Sequence, residues 1–327
     1  MEELTPYYFA YSSYSSVAHR YKLLEQSTDL FQLEKKISPI LRAEEIHKIQ
    51  TSAERLKYET EKRGANLVTY YDLAYPKLLR EIDKPPILLF CKGNIDLLQY
   101  DLVSVVGTRK PSSTSLLATT LLPEFLSKSR NLGIVSGVAM GVDRSVMLAA
   151  LESNVPTIGV MGTGIEKEYP YQNRDLYQKI KNSPNGLLIT EMRIGEVIGK
   201  WSFPRRNRII TGISRLLVMM EAPLKSGAMS SVAHALEQGR EVMVFDDPTL
   251  LYNEGGRKLL DDGATRLTLA DLENTSGKFF HISEFIPKNF HDMPSLFSSL
   301  SQLENEGLFQ NLGGGYYRKF STETQRL

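Results

Sequence analysis

Between residues 87 and 269 short apolar runs alternate with longer amphipathic stretches. The runs ILLFC at 87–91, LVSVV at 102–106, GIVS at 133–136, PTIGVM at 156–161, GLLIT at 186–190, LLVMM at 216–220 and EVMVF at 241–245 are of strand length. They are apolar at successive rather than alternate positions, which predicts strands buried on both faces. The stretches between them predict helices over 113–131, 141–153, 172–182, 204–213, 227–239 and 254–262. Buried strands alternating with helices imply an α/β fold with a doubly wound, mostly parallel sheet. Such sheets bind ligands beyond the carboxyl ends of their strands, in the loops that lead into the helices.

The flanks have a different pattern. Residues 1–84 read as an N-terminal helical domain, with Leu, Glu, Lys and Ile at helical spacing over 29–62 and a boundary at Pro85-Pro86. Residues 85–273 form the α/β unit. Residues 274–327 read as a small third domain: a linker at 274–278, a helix over 295–308 and a hairpin over 309–320 turning at Gly313-Gly314-Gly315. A helix followed by a glycine hairpin suggests a reduced winged-helix-like module.

Composition narrows the function only a little. The net charge is +1, so a site for a polyanion has to be a local patch. Cys91 is the only cysteine, which excludes an intrachain disulfide and a cysteine-rich zinc site and suits a reducing compartment. The five histidines fall at no metal-ligand spacing. No apolar run is of membrane-spanning length, and a cytoplasmic protein without membrane partners is expected.

Four loops at strand ends carry the candidate chemistry. Gly107-Thr108-Arg109-Lys110 follows 102–106, with Ser112 or Ser113 placed to cap the next helix. Ser136-Gly137 opens a glycine loop ending at Asp143, a loop organiser rather than a base. Gly162-Thr163-Gly164 and Ser226-Gly227 are the third and fourth. Glycines let backbone approach a ligand closely, and helix N-termini offer N–H groups to anions. Beside these loops lies KWSFPRRNRIIT at 200–211. It concentrates Lys200, Arg205, Arg206 and Arg208 around Trp201, Phe203 and Asn207, with no acidic residue between Glu196 and Glu221. Cations hold phosphates and aromatics stack on exposed bases, so the segment points to a nucleic-acid strand. Glu191 and Glu221 end strands in the same region and are expected to organise arginines through ion pairs.

With these loops in place the chain resembles the DNA processing protein A (DprA/Smf) family over residues 75–271. The resemblance rests on AYPKLLREIDKPPILLFCKGN at 74–94, VVGTRKPS at 105–112, IVSGVAMGVD at 134–143, GTGIEKEYPYQNRDL at 162–176, FPRRNRIITGIS at 203–214, KSGAMSSVAHALEQGREV at 225–242 and NEGGRKLLDDGA at 253–264. It implies an extended Rossmann-like domain that binds and protects single-stranded DNA in natural transformation and helps to load the RecA recombinase. It also implies a homodimer that acts without a cofactor and is not an enzyme. By motif, Arg109, Lys200, Phe203, Arg206 and Arg208 would line the DNA groove, with Lys110, Arg205 and Asn207 beside them. Gly107, Thr108, Ser136, Gly137, Ser226 and Gly227 would supply small side chains and backbone donors. The chain departs from the family in showing no glycine-rich helix-hairpin-helix pattern in 1–70, and in reading SGAMSS where SGSLIT-like wording is usual.

Two other readings use the same loops. One is an enzyme resembling the phosphoribohydrolases, which carry a PGGxGTxxE loop. Here Ala233 falls at the position of the catalytic Glu, which removes the acid/base group. The other is a nucleotide sensor, which would bind mononucleotides tightly and single strands weakly.

Overall fold

In the computed structural model the described residues run from 41 to 276, Asn131 excepted, with shorter stretches within 23–39 and 279–319. The strands β1 (Asn66–Thr69), β2 (Leu88–Gly93), β3 (Leu102–Val106), β4 (Gly133–Ser136), β5 (Thr157–Val160), β6 (Gly186–Thr190), β7 (Leu216–Met219), β8 (Glu241–Phe245) and β9 (Thr265–Leu267) form one sheet in the order β1-β2-β6-β5-β4-β3-β7-β8-β9. From β6 to β9 neighbouring strands are parallel, while β1 and β2 add an antiparallel margin. The fold is thus α/β with a mostly parallel, Rossmann-like sheet.

Successive residues of a strand face opposite sides, and both sides are covered. Val103 and Val105 of β3 join a core with helices α4 (Ser113–Arg130), α5 (Val142–Glu152) and α6 (Arg174–Asn182). Leu102 and Val106 join a second core with α7 (Ser202–Gly212), α8 (Gly227–Glu237) and α9 (Glu254–Asp261). Ser104 is the polar exception in β3. Its buried hydroxyl bonds the Ile210 carbonyl (2.7 Å) and lies 2.5 Å from Ser214 Oγ, so no polar group is stranded. Cys91 is buried in β2, and burial pushes its thiol well above the ordinary value.

Helices α1 (Leu30–Ile37) and α2 (Ala43–Glu61) precede β1, and the single turn α3 (Lys77–Arg80) lies between β1 and β2. Ile49, Ala53, Leu56 and Thr60 line the buried face of α2 at helical spacing. The boundary expected near residue 84 is nevertheless crossed, because β1 pairs with β2 and Asn66 lies opposite Cys91. NLVT is only four residues between helical segments, too short for its period to declare a strand. Strand β9 and helix α10 (Leu269–Ser276) were likewise not expected. In the C-terminal unit β10 (Phe279–His281), β12 (Tyr316–Lys319) and β11 (Phe309–Gly313) form a three-stranded antiparallel sheet in that order, containing the expected hairpin. Most of the helix expected over 295–308 lies outside the described residues.

Candidate nucleic-acid interface

The chain runs outward through β3, β4, β5 and β6, then returns to place β7 on the other side of β3. This reversal is the topological switch point, where loops after β3 and β7 diverge and leave a crevice. A cleft of about 800 Å³ occupies that position. Gly107, Thr108 and Arg109 line it from the β3 loop, Ser226 and Gly227 from the start of α8, and Lys200, Phe203 and Asn207 from α7 and its approach.

The walls are built by bonds between loops distant in sequence. Thr108 donates its N–H to the Glu221 carbonyl (2.7 Å) and accepts from the Val142 N–H (3.1 Å). Gly141, at φ +76°, packs beneath, where a Cβ would sit 2.5 Å from the Thr108 oxygen. Gly141→Ala is expected to cost about 1–3 kcal/mol by forcing that backbone conformation on a side chain, measurable by denaturant unfolding, and to open the cleft wall. Wild-type stability in that variant would show that the two loops are not locked together. Asn173, fully buried, bonds the Val138 and Ala139 carbonyls (both 2.9 Å). Behind it, hydrogen bonds from Arg144 hold the Asp175 carboxyl down at about 2.

Asp143 organises its loop as expected. Its carboxylate accepts from the N–H of Gly137 (3.1 Å) and of Ala139 (3.3 Å). Burial pushes its pKa up, opposed by the charge of Arg206. Arg206 is only 7% exposed and donates to the carbonyls of Gly137 and Val160. Both groups press on Gly137, where a Cβ would meet each at 2.7 Å. Arg206 therefore braces the cleft floor, where it lines the cleft as a largely buried guanidinium already bonded to two carbonyls rather than as an exposed cation.

Other expected groups are also corrected. Ser136 is buried with its hydroxyl on the Val105 carbonyl (2.7 Å), and the Gly137 N–H is engaged by Asp143, so neither offers a free donor. Arg208 turns inward onto Glu191, and Arg205 binds the same carboxylate at 3.0 Å, so Glu191 does organise arginines. Glu221 instead accepts from the Ser112 N–H at the start of α4 (2.8 Å). Lys110 is exposed but lies outside the cleft lining. Asn207 is largely buried and reaches the Gly227 carbonyl (3.4 Å).

Arg109, Lys200 and Lys167 remain as exposed cations lining the cleft. Lys167 was not singled out by sequence, since it sits between Glu166 and Glu168. Phe203 is half-buried and meets the Tyr169 ring at 5.5 Å between centroids. Its place depends on Gly162, where a Cβ would lie 2.6 Å from the ring. Ser226 caps α8 by accepting from the Met229 N–H (3.3 Å). The first N–H groups of a helix have no intrahelical partner and favour an anion.

The fold and the cleft define a doubly wound α/β protein with a phosphate- and base-compatible crevice at its switch point. Comparison with known proteins gives the family: DNA recombination-mediator protein A matches residues 66–275, and the chain belongs to that family. It is 38% identical over 198 residues to DNA processing protein DprA of Streptococcus pneumoniae, covering 60% of this chain and 69% of that protein. It is 37% identical over 211 residues to protein Smf of Synechocystis, covering 63% of this chain and about half (52%) of that protein. The X-ray structure of the pneumococcal DprA superposes with a TM-score of 0.67 at 30% identity, over 85% of this chain and 99% of that one. DNA processing protein A of Helicobacter pylori, described for its single-stranded DNA binding mode, gives a TM-score of 0.57 at 30% identity over 64% and 93%.

Proposed function

We propose that the cleft binds single-stranded DNA. The observation that carries this is the set of three exposed cations around the Phe203–Tyr169 pair at the switch point. Phosphates would meet Arg109, Lys167, Lys200 and the α8 N-terminus, while unpaired bases would stack on Phe203. The chain acts by binding rather than by catalysis. Among the described residues the cleft's one carboxylate, Asp143, is engaged by two loop N–H groups and faces Arg206. The described single-strand binding of the Helicobacter pylori relative supports the reading.

In this reading the protein is a cytoplasmic homodimer that protects incoming strands in natural transformation and helps to load RecA on them. The recombination-mediator family supports that role. A lone buried thiol suits a reducing compartment, and no helix among the described residues is long and apolar enough to cross a membrane.

The test is fluorescence-anisotropy binding of labelled single- and double-stranded oligonucleotides across a salt series. We expect single-strand preference and affinity that falls with salt, with log K changing by about 0.7 per phosphate contact for each decade of salt. Phe203→Ala is expected to lose about 1–3 kcal/mol of binding. Preference for mononucleotides, or salt-independent binding, would overturn the proposal in favour of a nucleotide sensor.

A further inference from the structure

Trp201 has no role yet in either the fold or the proposed cleft. It occupies the N-cap position of α7 without making a side-chain cap bond. Ser, Thr, Asp or Asn serve that position because their oxygens accept from first-turn N–H groups, which an indole cannot do. Nor is the ring part of the core, since Trp201 is 48% exposed.

Its position is defined on two sides. Gly199 lies against the indole, and a Cβ there would sit 2.3 Å from Nε1. The Arg205 guanidinium lies over the ring at 5.7 Å from its centroid. That guanidinium is held in turn by Glu191 (3.0 Å) and, more loosely, by Glu196 (3.9 Å). Between Gly199 and Trp201 comes Lys200, a cleft cation, and Ile198 and Gly199 also line the cleft. The ring is therefore a fixed aromatic surface beside the cleft, next in sequence to a phosphate-binding candidate.

We propose that Trp201 is a second base-stacking platform, on the rim, for the segment of single-stranded DNA that leaves the cleft past Lys200. The inference rests on the cleft reading and extends it. Phe203 would take a base inside and Trp201 a base outside, with Lys200 on the phosphate between them. Arg205, its charge compensated by two carboxylates, supports the platform and need not bind phosphate. An indole is the largest side-chain π-surface available, and stacking on it tolerates any base sequence. A ring fixed before binding loses less rotamer freedom when the base arrives.

The chain has one tryptophan, so emission excited at the red edge of the indole absorption, where its 16 tyrosines scarcely absorb, reports on this side chain alone. Unlabelled thymidine homo-oligonucleotide is titrated into the full chain while anisotropy of a labelled copy is followed separately. We expect the emission to be quenched with the same midpoint as the anisotropy. An oligonucleotide with abasic sites throughout should bind more weakly and leave the emission unchanged. Trp201→Ala should weaken binding roughly 5- to 150-fold with the salt slope unchanged, since no phosphate contact is lost. Trp201→Phe, which keeps a stacking ring, should recover most of that loss.

Wild-type binding by anisotropy with unchanged emission, together with wild-type affinity in Trp201→Ala, would overturn the platform and leave the cleft standing. Binding that falls equally in the Phe and Ala variants would also overturn it, because the contribution would then not be stacking. No single-strand binding by the wild-type chain would remove the cleft reading and the platform together.

Discussion

Arg206→Met is expected to destabilise the protein by about 3–5 kcal/mol, the cost of leaving a buried charge without its counterpart. The side chain is buried, and it donates to the carbonyls of Gly137, just after β4, and Val160, at the end of β5, which lose those bonds in the variant. Asp143 keeps its loop N–H bonds but loses the cation that opposes its desolvation. The pH dependence follows from the direction of that shift. A carboxyl whose folded pKa lies above its unfolded value contributes stability that is complete below the unfolded pKa and is lost as pH rises through the folded one. Removing Arg206 raises the folded value further, so the deficit should be larger at neutral pH than in mild acid. Arg206→Met with Asp143→Asn should recover part of the loss, because both loop N–H groups donate to the same carboxylate oxygen, which the amide oxygen can replace without a charge. Denaturant unfolding of the wild type and the two variants at two pH values is the measurement. Wild-type stability in Arg206→Met would show that the arginine faces a ligand after all.

The double charge reversal Arg109→Glu with Lys200→Glu should abolish most single-strand binding while leaving the fold intact. Both side chains are exposed at the cleft and neither forms an ion pair among the described residues. Hydrogen bonds to charged groups contribute about 1.5–3 kcal/mol each, so the pair should cost roughly two to four decades in affinity. The loss should be the same for all sequences, and the salt slope should fall by about 0.7 for each phosphate contact removed. Undiminished binding in this variant, with normal unfolding, would place the strand elsewhere on the molecule. Arg208→Ala is a useful contrast, because that guanidinium is already turned onto Glu191.

These two variants separate what the cationic segment hides. In the sequence, Lys200, Arg205, Arg206 and Arg208 are equivalent members of one basic cluster. The helix turns by about 100° per residue, so neighbours cannot share a direction. Which direction meets solvent depends on groups brought from β4, β5 and the end of β6, far away in the chain. Ser136 and Gly137 were misjudged for the same reason, since the acceptor at Val105 and the carboxylate of Asp143 had already engaged them. Lys167 was missed because flanking acids mask it in sequence, and only the fold brings it to the cleft.

The sequence by itself determined the alternating α/β architecture, the strands from β2 to β8, the glycine loops at their ends, the cation-rich helix start and the family. Those features are local: apolar periodicity, turn residues and motif spacing act over a few residues at a time. Tertiary structure alone decided that β1 joins the sheet, that Arg206 and Arg208 face inward, and that Arg109, Lys167 and Lys200 share one cleft. Each of those outcomes depends on a partner group distant along the chain, and burial and charge pairing are settled only when that partner arrives.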